Sequence, residues 1–137
     1  MFEHIMVPVD LHLPEEVERA LNVTADLARH YRAKVTLVSV TGSVYTDAPH
    51  SKADAAPVLA KLAADMAGNG EVEVETKLVF STDVPAEVDT ALHNAVEETG
   101  ADLVIAGSHA PNWVDYLIGS HAGKLAARSK VSVFVVR

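Results

Sequence analysis

No cysteine occurs in the 137 residues, which excludes a disulfide framework, a thiolate metal site and a cysteine nucleophile together. That fits a reducing compartment, and the cytoplasm is the expected one. Basic charge is also scarce: 11 Lys and Arg stand against 19 Asp and Glu, for a formal net charge of −8. Nucleic acid and anionic membrane surfaces both need a basic face, so neither is expected as the main partner. No apolar run reaches the roughly 18 residues of a membrane-spanning helix. Residues 1–10 carry acidic Glu3 where a secretion signal has basic charge, and their apolar run breaks at Pro8. A protein that is neither exported nor embedded in a membrane is expected. Aromatic residues are few, and Trp113 is the single tryptophan.

The length suits one domain with a core of its own, spanning residues 1–137. Residues 5–9 are a short apolar run; Val17, Ala20, Leu21, Thr24, Leu27, Ala28 and Tyr31 then recur at helical spacing. Residues 35–40 are rich in β-formers. A helix is expected from about Asp54, with Pro57 tolerated in its first turn, Leu59, Leu62 and Met66 inward, and a stop at Gly68-Asn69-Gly70. Residues 71–80 alternate, with Val72, Val74, Thr76, Leu78 and Phe80 on one face and Glu71, Glu73, Glu75 and Lys77 on the other. Asp83 is placed to cap a third helix that carries Val84, Val88, Leu92 and Val96 and ends at Gly100. Residues 103–106 are a fourth apolar strand, 107–119 a loop, 120–129 a short helix and 131–136 a final strand.

Alternating strands and helices imply right-handed crossovers with helices on both faces of a sheet. The first and fourth strands are apolar throughout, as central strands are, while the third carries glutamates, as a protected edge does. The expected fold is therefore α/β: an open, mostly parallel five-stranded sheet of order 3-2-1-4-5, Rossmann-like in layout. In such a sheet ligands bind outside the carboxyl ends of strands 1 and 4, where the order reverses. Those ends are Asp10 and Gly107.

The segment from Gly107 to His121 carries the chemistry. Glycine permits close backbone approach, and Gly119-Ser120 opens a helix whose free N–H groups and dipole would seat a phosphate. Charge permits an anion here: residues 107–137 hold four basic side chains against one acidic, whereas residues 1–106 hold seven against eighteen. Gly119-Ser-His-Ala-Gly-Lys124 is one residue short of the P-loop spacing and follows a loop, so a kinase-like or GTPase-like site is not expected. His109, Asp115 and His121 lack a recognised ligand spacing, and no metal site is expected. Ser120 lacks a nucleophile elbow, so no catalytic residue is assigned.

These residues resemble the universal stress protein family over the whole chain: Pro8-Val9-Asp10 at the first strand end, Val40 at the second, Ala106-Gly107-Ser108-His109 at the fourth, Gly119-Ser120, and the closing Val-Ser-Val-Phe-Val-Val-Arg. The family's G-x2-G-x9-G-[ST] motif has Gly107 first, Ala110 in place of the second glycine, and Gly119-Ser120 one residue early. The short Ser-His-x-Pro loop, Ser108 to Pro111, resembles a bacterial subgroup that keeps nucleotide binding without that second glycine. The resemblance implies an adenine nucleotide alpha hydrolase-like fold that binds ATP or a related adenine nucleotide, with or without magnesium. It implies that Asp10 meets the ribose or adenine, that Val40 presents backbone to the adenine, and that Gly107, Gly119 and Ser120 line the phosphates. Pro8, Val9, Ala106, His109, Ala110, His121 and Ala122 complete the nucleotide-binding set that the resemblance implies. It also implies a homodimer joined through the last strand.

Three functions stay open on this reading: a nucleotide-binding stress sensor that signals through a protein partner, a slow ATPase or phosphotransfer enzyme, and a dimeric scaffold that binds no nucleotide. An enzyme would need a positioned base and usually a metal clamp, which favours the sensor.

Overall fold

A computed structural model describes residues 1–11, 14–42, 52–81, 84–107 and 131–137. The elements run β1 (His4–Pro8), α1 (Pro14–Tyr31), β2 (Lys34–Gly42), α2 (Lys52–Ala67), β3 (Val74–Ser81), α3 (Val84–Thr99), β4 (Leu103–Gly107) and β5 (Ser132–Val136). The strands form one sheet of order β3-β2-β1-β4-β5, and all four pairings are parallel. The predicted helix at 120–129 and the predicted cap at Asp83 lie outside the described residues.

Apolar patterning explains the layers. Ile5, Val7, Val35, Leu37, Leu103 and Ile105 point to the face that α1 and α2 cover, where Val17, Ala28, Leu59 and Met66 meet them. Met6, Val38, Val104 and Ala106 point to the other face, against Leu92, Ala95 and Val96 of α3. β1 and β4 supply side chains to both cores, which is why neither alternates with polar residues.

The sheet edge at β3 departs from the expected pattern. Glu71 and Glu73 precede the strand, so Glu75 alone of the three glutamates sits in it. Alternation also fails further on: Leu78 packs with the α1–α2 core and Val79 with the α3 core, while Phe80 is 52% exposed beyond the helices' cover. α2 starts at Lys52, earlier than expected, which puts Pro57 in the second turn. There its missing N–H removes a hydrogen bond to the first turn.

Helix ends follow backbone chemistry. Gly100 turns left-handed (φ 69°) and donates its N–H to Val96 O at 3.1 Å, an arrangement that glycine adopts without a Cβ penalty. α1 ends the same way on a residue with a side chain: Arg32 has φ 56°, and the Ala33 N–H reaches Ala28 O at 3.0 Å.

The amino ends of the strands are tied by polar contacts. Asp102 accepts the N–H of Glu3 at 2.9 Å and that of His4 at 3.1 Å, latching β1 to the start of β4. The buried His4 ring bonds Thr36 Oγ1 through Nε2 at 2.7 Å. Burial holds its pKa below the ordinary 6.5, helped by Lys34 and opposed by the Thr99 backbone, Glu75 and Asp102. The ring is thus harder to protonate in the fold than in the unfolded chain. Its contribution to stability is complete above the unfolded value and is lost as pH falls from about 6.5 toward the lower folded value. Urea midpoints for the protein and for His4→Gln, measured from pH 7.5 to 5, should diverge: the parent loses stability more steeply on acidification. Parallel curves would rule the effect out.

Candidate functional site

Crossovers through α1 and α2 lie on one face of the sheet and the crossover through α3 on the other, so the winding reverses between β1 and β4. At that reversal the ends of three neighbouring strands come together. β1 ends at half-buried Pro8, buried Val9 and half-buried Asp10. The Val9 N–H donates to Val38 O at 2.8 Å, carrying the β1–β2 pairing past Pro8. β2 continues to half-buried Val40 and buried Thr41, and β4 ends at buried Ala106 and half-buried Gly107. The topology therefore gathers Pro8, Val9, Asp10, Val40, Ala106 and Gly107 at one end of the sheet. His109, Ala110, Gly119, Ser120, His121 and Ala122 lie outside the described residues, as does Trp113.

Gly107 has an ordinary negative-side backbone, unlike Gly68, Gly70 and Gly100 with their positive φ. A methyl group placed on it would lie 3.5 Å from Glu16 Oε2, 3.6 Å from Glu16 Cβ and 3.8 Å from Glu16 O, which is ordinary contact. Neither backbone strain nor crowding in the described fold demands glycine there.

Two residues at this end escape a reading of the sequence. Glu16, in the first turn of α1, sits against Gly107 although 91 positions separate them in the chain. Its acidic neighbour and its place behind Pro14 read only as charge suited to a helix N-terminus. Thr41 is 7% exposed, and its hydroxyl has no hydrogen-bond partner among the described residues. A buried orphan hydroxyl costs about 1–3 kcal/mol, and its one sequence signal is that it directly follows Val40.

A groove of about 480 Å³ opens between α1 and α2 beside Asp10 and Leu11, walled by Val17, Leu21, Ala25, Leu62 and Met66. Neither Val40 nor Gly107 lines it. Arg29 at its rim is engaged by Asp26 at 3.1 Å and Glu71 at 3.2 Å. The strand ends rather than this groove unite the polar and glycine positions, and they define the candidate site. Among the described residues, no helix is long and apolar enough to cross a membrane.

An open parallel sheet of this order with helices on both faces is a Rossmann-like α/β fold. The chain belongs to the universal stress protein family, whose model matches residues 1–137. It is similar in fold to a universal stress family protein from Burkholderia pseudomallei (24% identity, TM-score 0.66, covering 98% of this chain and 95% of that one). It is also similar to the Archaeoglobus fulgidus universal stress protein in complex with dAMP (20%, TM-score 0.67, 98% of each chain). A third likeness is to an Arabidopsis thaliana family member with AMP bound (16%, TM-score 0.59, 98% and 90%).

Proposed function

We propose that this protein binds ATP or a related adenine nucleotide and acts as a stress-response sensor, passing the bound state to a protein partner. The observation that carries the reading is the meeting of Asp10, Val40 and an unstrained, uncrowded Gly107 at the carboxyl ends of β1, β2 and β4. Ligands of open α/β sheets bind at that reversal. The adenine monophosphates crystallised with the Archaeoglobus and Arabidopsis relatives support it. On this reading Asp10 meets the ribose or adenine, Val40 offers backbone to the adenine, and Gly107, Gly119 and Ser120 line the phosphates, with Pro8, Val9, Ala106, His109, Ala110, His121 and Ala122 completing the nucleotide-binding set. Residues 1–137 act as one domain in the cytoplasm, within the subgroup marked by the Ser108–Pro111 loop.

The test is to denature the purified protein and identify released small molecules by mass spectrometry, with calorimetric titration of the emptied, refolded protein. Release of an adenine nucleotide together with saturable rebinding supports the reading. If no adenine nucleotide is released or rebound, the dimeric scaffold takes its place.

The protein is further read as a homodimer through β5. Among the described residues β5 pairs with β4 alone, and Phe134 on it is 46% exposed. An uncharged edge beside an exposed aromatic ring invites a second copy to pair. Light scattering at micromolar concentration should give twice the chain mass, and Phe134→Lys should return the monomer. A monomeric parent protein would end that reading.

A further inference from the structure

We propose that the Thr41 hydroxyl is a ligand contact: the free protein holds it buried and unpaired, and the base of the bound nucleotide supplies its hydrogen bond. This rests on the adenine-nucleotide reading above. Thr41 is 7% exposed, and among the described residues its Oγ1 has no partner. A hydroxyl can donate one hydrogen bond and accept two, and the large majority of buried side-chain polar atoms make at least one. The strand itself does not ask for the oxygen. Valine has the shape of threonine, suits a strand as well and carries no polar atom to strip of water. Thr36 on the same strand shows the ordinary case: it is also buried, and its Oγ1 stands 2.7 Å from His4 Nε2.

The place of Thr41 says what the partner is. Pairing of β1 with β2 ends at the bond from the Val9 N–H to Val38 O, where Asp10 leaves the strand. β2 runs on through Val40, Thr41 and Gly42, in register with Val79, Phe80 and Ser81 of β3. Among the described residues no strand pairs with these three on the β1 side, so a ligand lying across the carboxyl ends of β1 and β2 comes against them. On the proposed reading Val40 offers backbone to the adenine, and Thr41 is the next residue. β4, whose Gly107 that reading gives to the phosphates, is two strands away, roughly 10 Å at the ordinary strand spacing. The base rather than a phosphate is therefore within reach of the hydroxyl. Adenine carries both ring-nitrogen acceptors and an amino donor, and a hydroxyl can answer either.

The experiment is calorimetric titration of the parent protein, Thr41→Val, Thr41→Ser and Thr36→Val with adenosine, AMP and ATP, beside urea midpoints of the ligand-free proteins. Thr41→Val should raise the midpoint, because it removes an unpaired buried oxygen, and should weaken all three ligands by one common factor of about tenfold. Thr41→Ser keeps the oxygen and should bind them nearly as the parent does. Thr36→Val strips His4 of its partner and should lower the midpoint, with the affinities of the folded protein unchanged. Undiminished affinity in Thr41→Val overturns the contact and leaves nucleotide binding standing. So does a loss confined to AMP and ATP, which would put phosphates beside the residue, and so does an equal loss in Thr36→Val. A midpoint below the parent's in Thr41→Val overturns it whatever the affinities, since the hydroxyl would then be paired in the free protein. If none of the three ligands binds the parent protein, the nucleotide reading itself falls, and the contact with it.

Discussion

Gly107→Val should lower adenine-nucleotide affinity at least tenfold while the protein stays folded. Among the described residues, the three atoms nearest to the first carbon of the new side chain all belong to Glu16, at ordinary contact distances, and a β-branched residue suits the end of a strand. The backbone at Gly107 needs no left-handed conformation, so valine imposes no strain there. What the substitution removes is access. A ligand that approaches the strand end closely enough to bond its backbone would meet two methyl groups, and charged hydrogen bonds are worth about 1.5–3 kcal/mol each. One such bond lost already corresponds to about tenfold. Calorimetry gives the affinity and a urea curve gives the stability. Full affinity in a folded Gly107→Val protein would remove Gly107 from the site.

Two residues earlier on the same strand the effect should reverse. Ile105 is fully buried in the core between the sheet and α1 and α2, with β1 on one side of its strand and Phe134 of β5 in register on the other. Ile105→Ala opens a cavity at the centre of the sheet, where flanking strands hinder collapse into it. The expected cost is about 2–5 kcal/mol, seen as a lower urea midpoint with an unchanged slope. Below the transition, the remaining folded protein should bind nucleotide as the parent does. A loss under about 1 kcal/mol would mean that the packing around β4 is looser than described.

How much of this was legible in the residues differs from element to element. β1 and β4 announce themselves as central because their side chains feed two cores, and an unbroken apolar run has no other use in a parallel sheet. That placement fixes the reversal, and with it the positions of Asp10, Val40 and Gly107. The boundaries of β3 were harder: Glu71 and Glu73 continue its alternation, yet pairing with β2 begins at Val74, because Val74 is the partner of Val35. Local periodicity carries no record of where a neighbouring strand starts. Pro57 misplaced the start of α2 for a related reason, since a proline is compatible with the first turn but does not require it.

At the site, Asp10 and Gly107 were readable because topology alone brings strand ends together. Glu16 was not, since its contact with Gly107 depends on how α1 lies across the end of β4. Thr41 needed the burial of its hydroxyl to be seen at all. Gly119 and Ser120, which drew attention first, lie outside the described residues.

The latch of Asp102 on Glu3 and His4, with His4 on Thr36, occupies the end of the sheet opposite to Asp10 and Gly107. Polar groups are matched there, whereas at the other end the Thr41 hydroxyl is unmatched among the described residues. The two ends can therefore diverge at different rates in descendants of this chain. On the proposed reading, substitutions around the strand tips can retune what is bound without first undoing the anchor, so a lineage can change its ligand long before it must reinvent its fold.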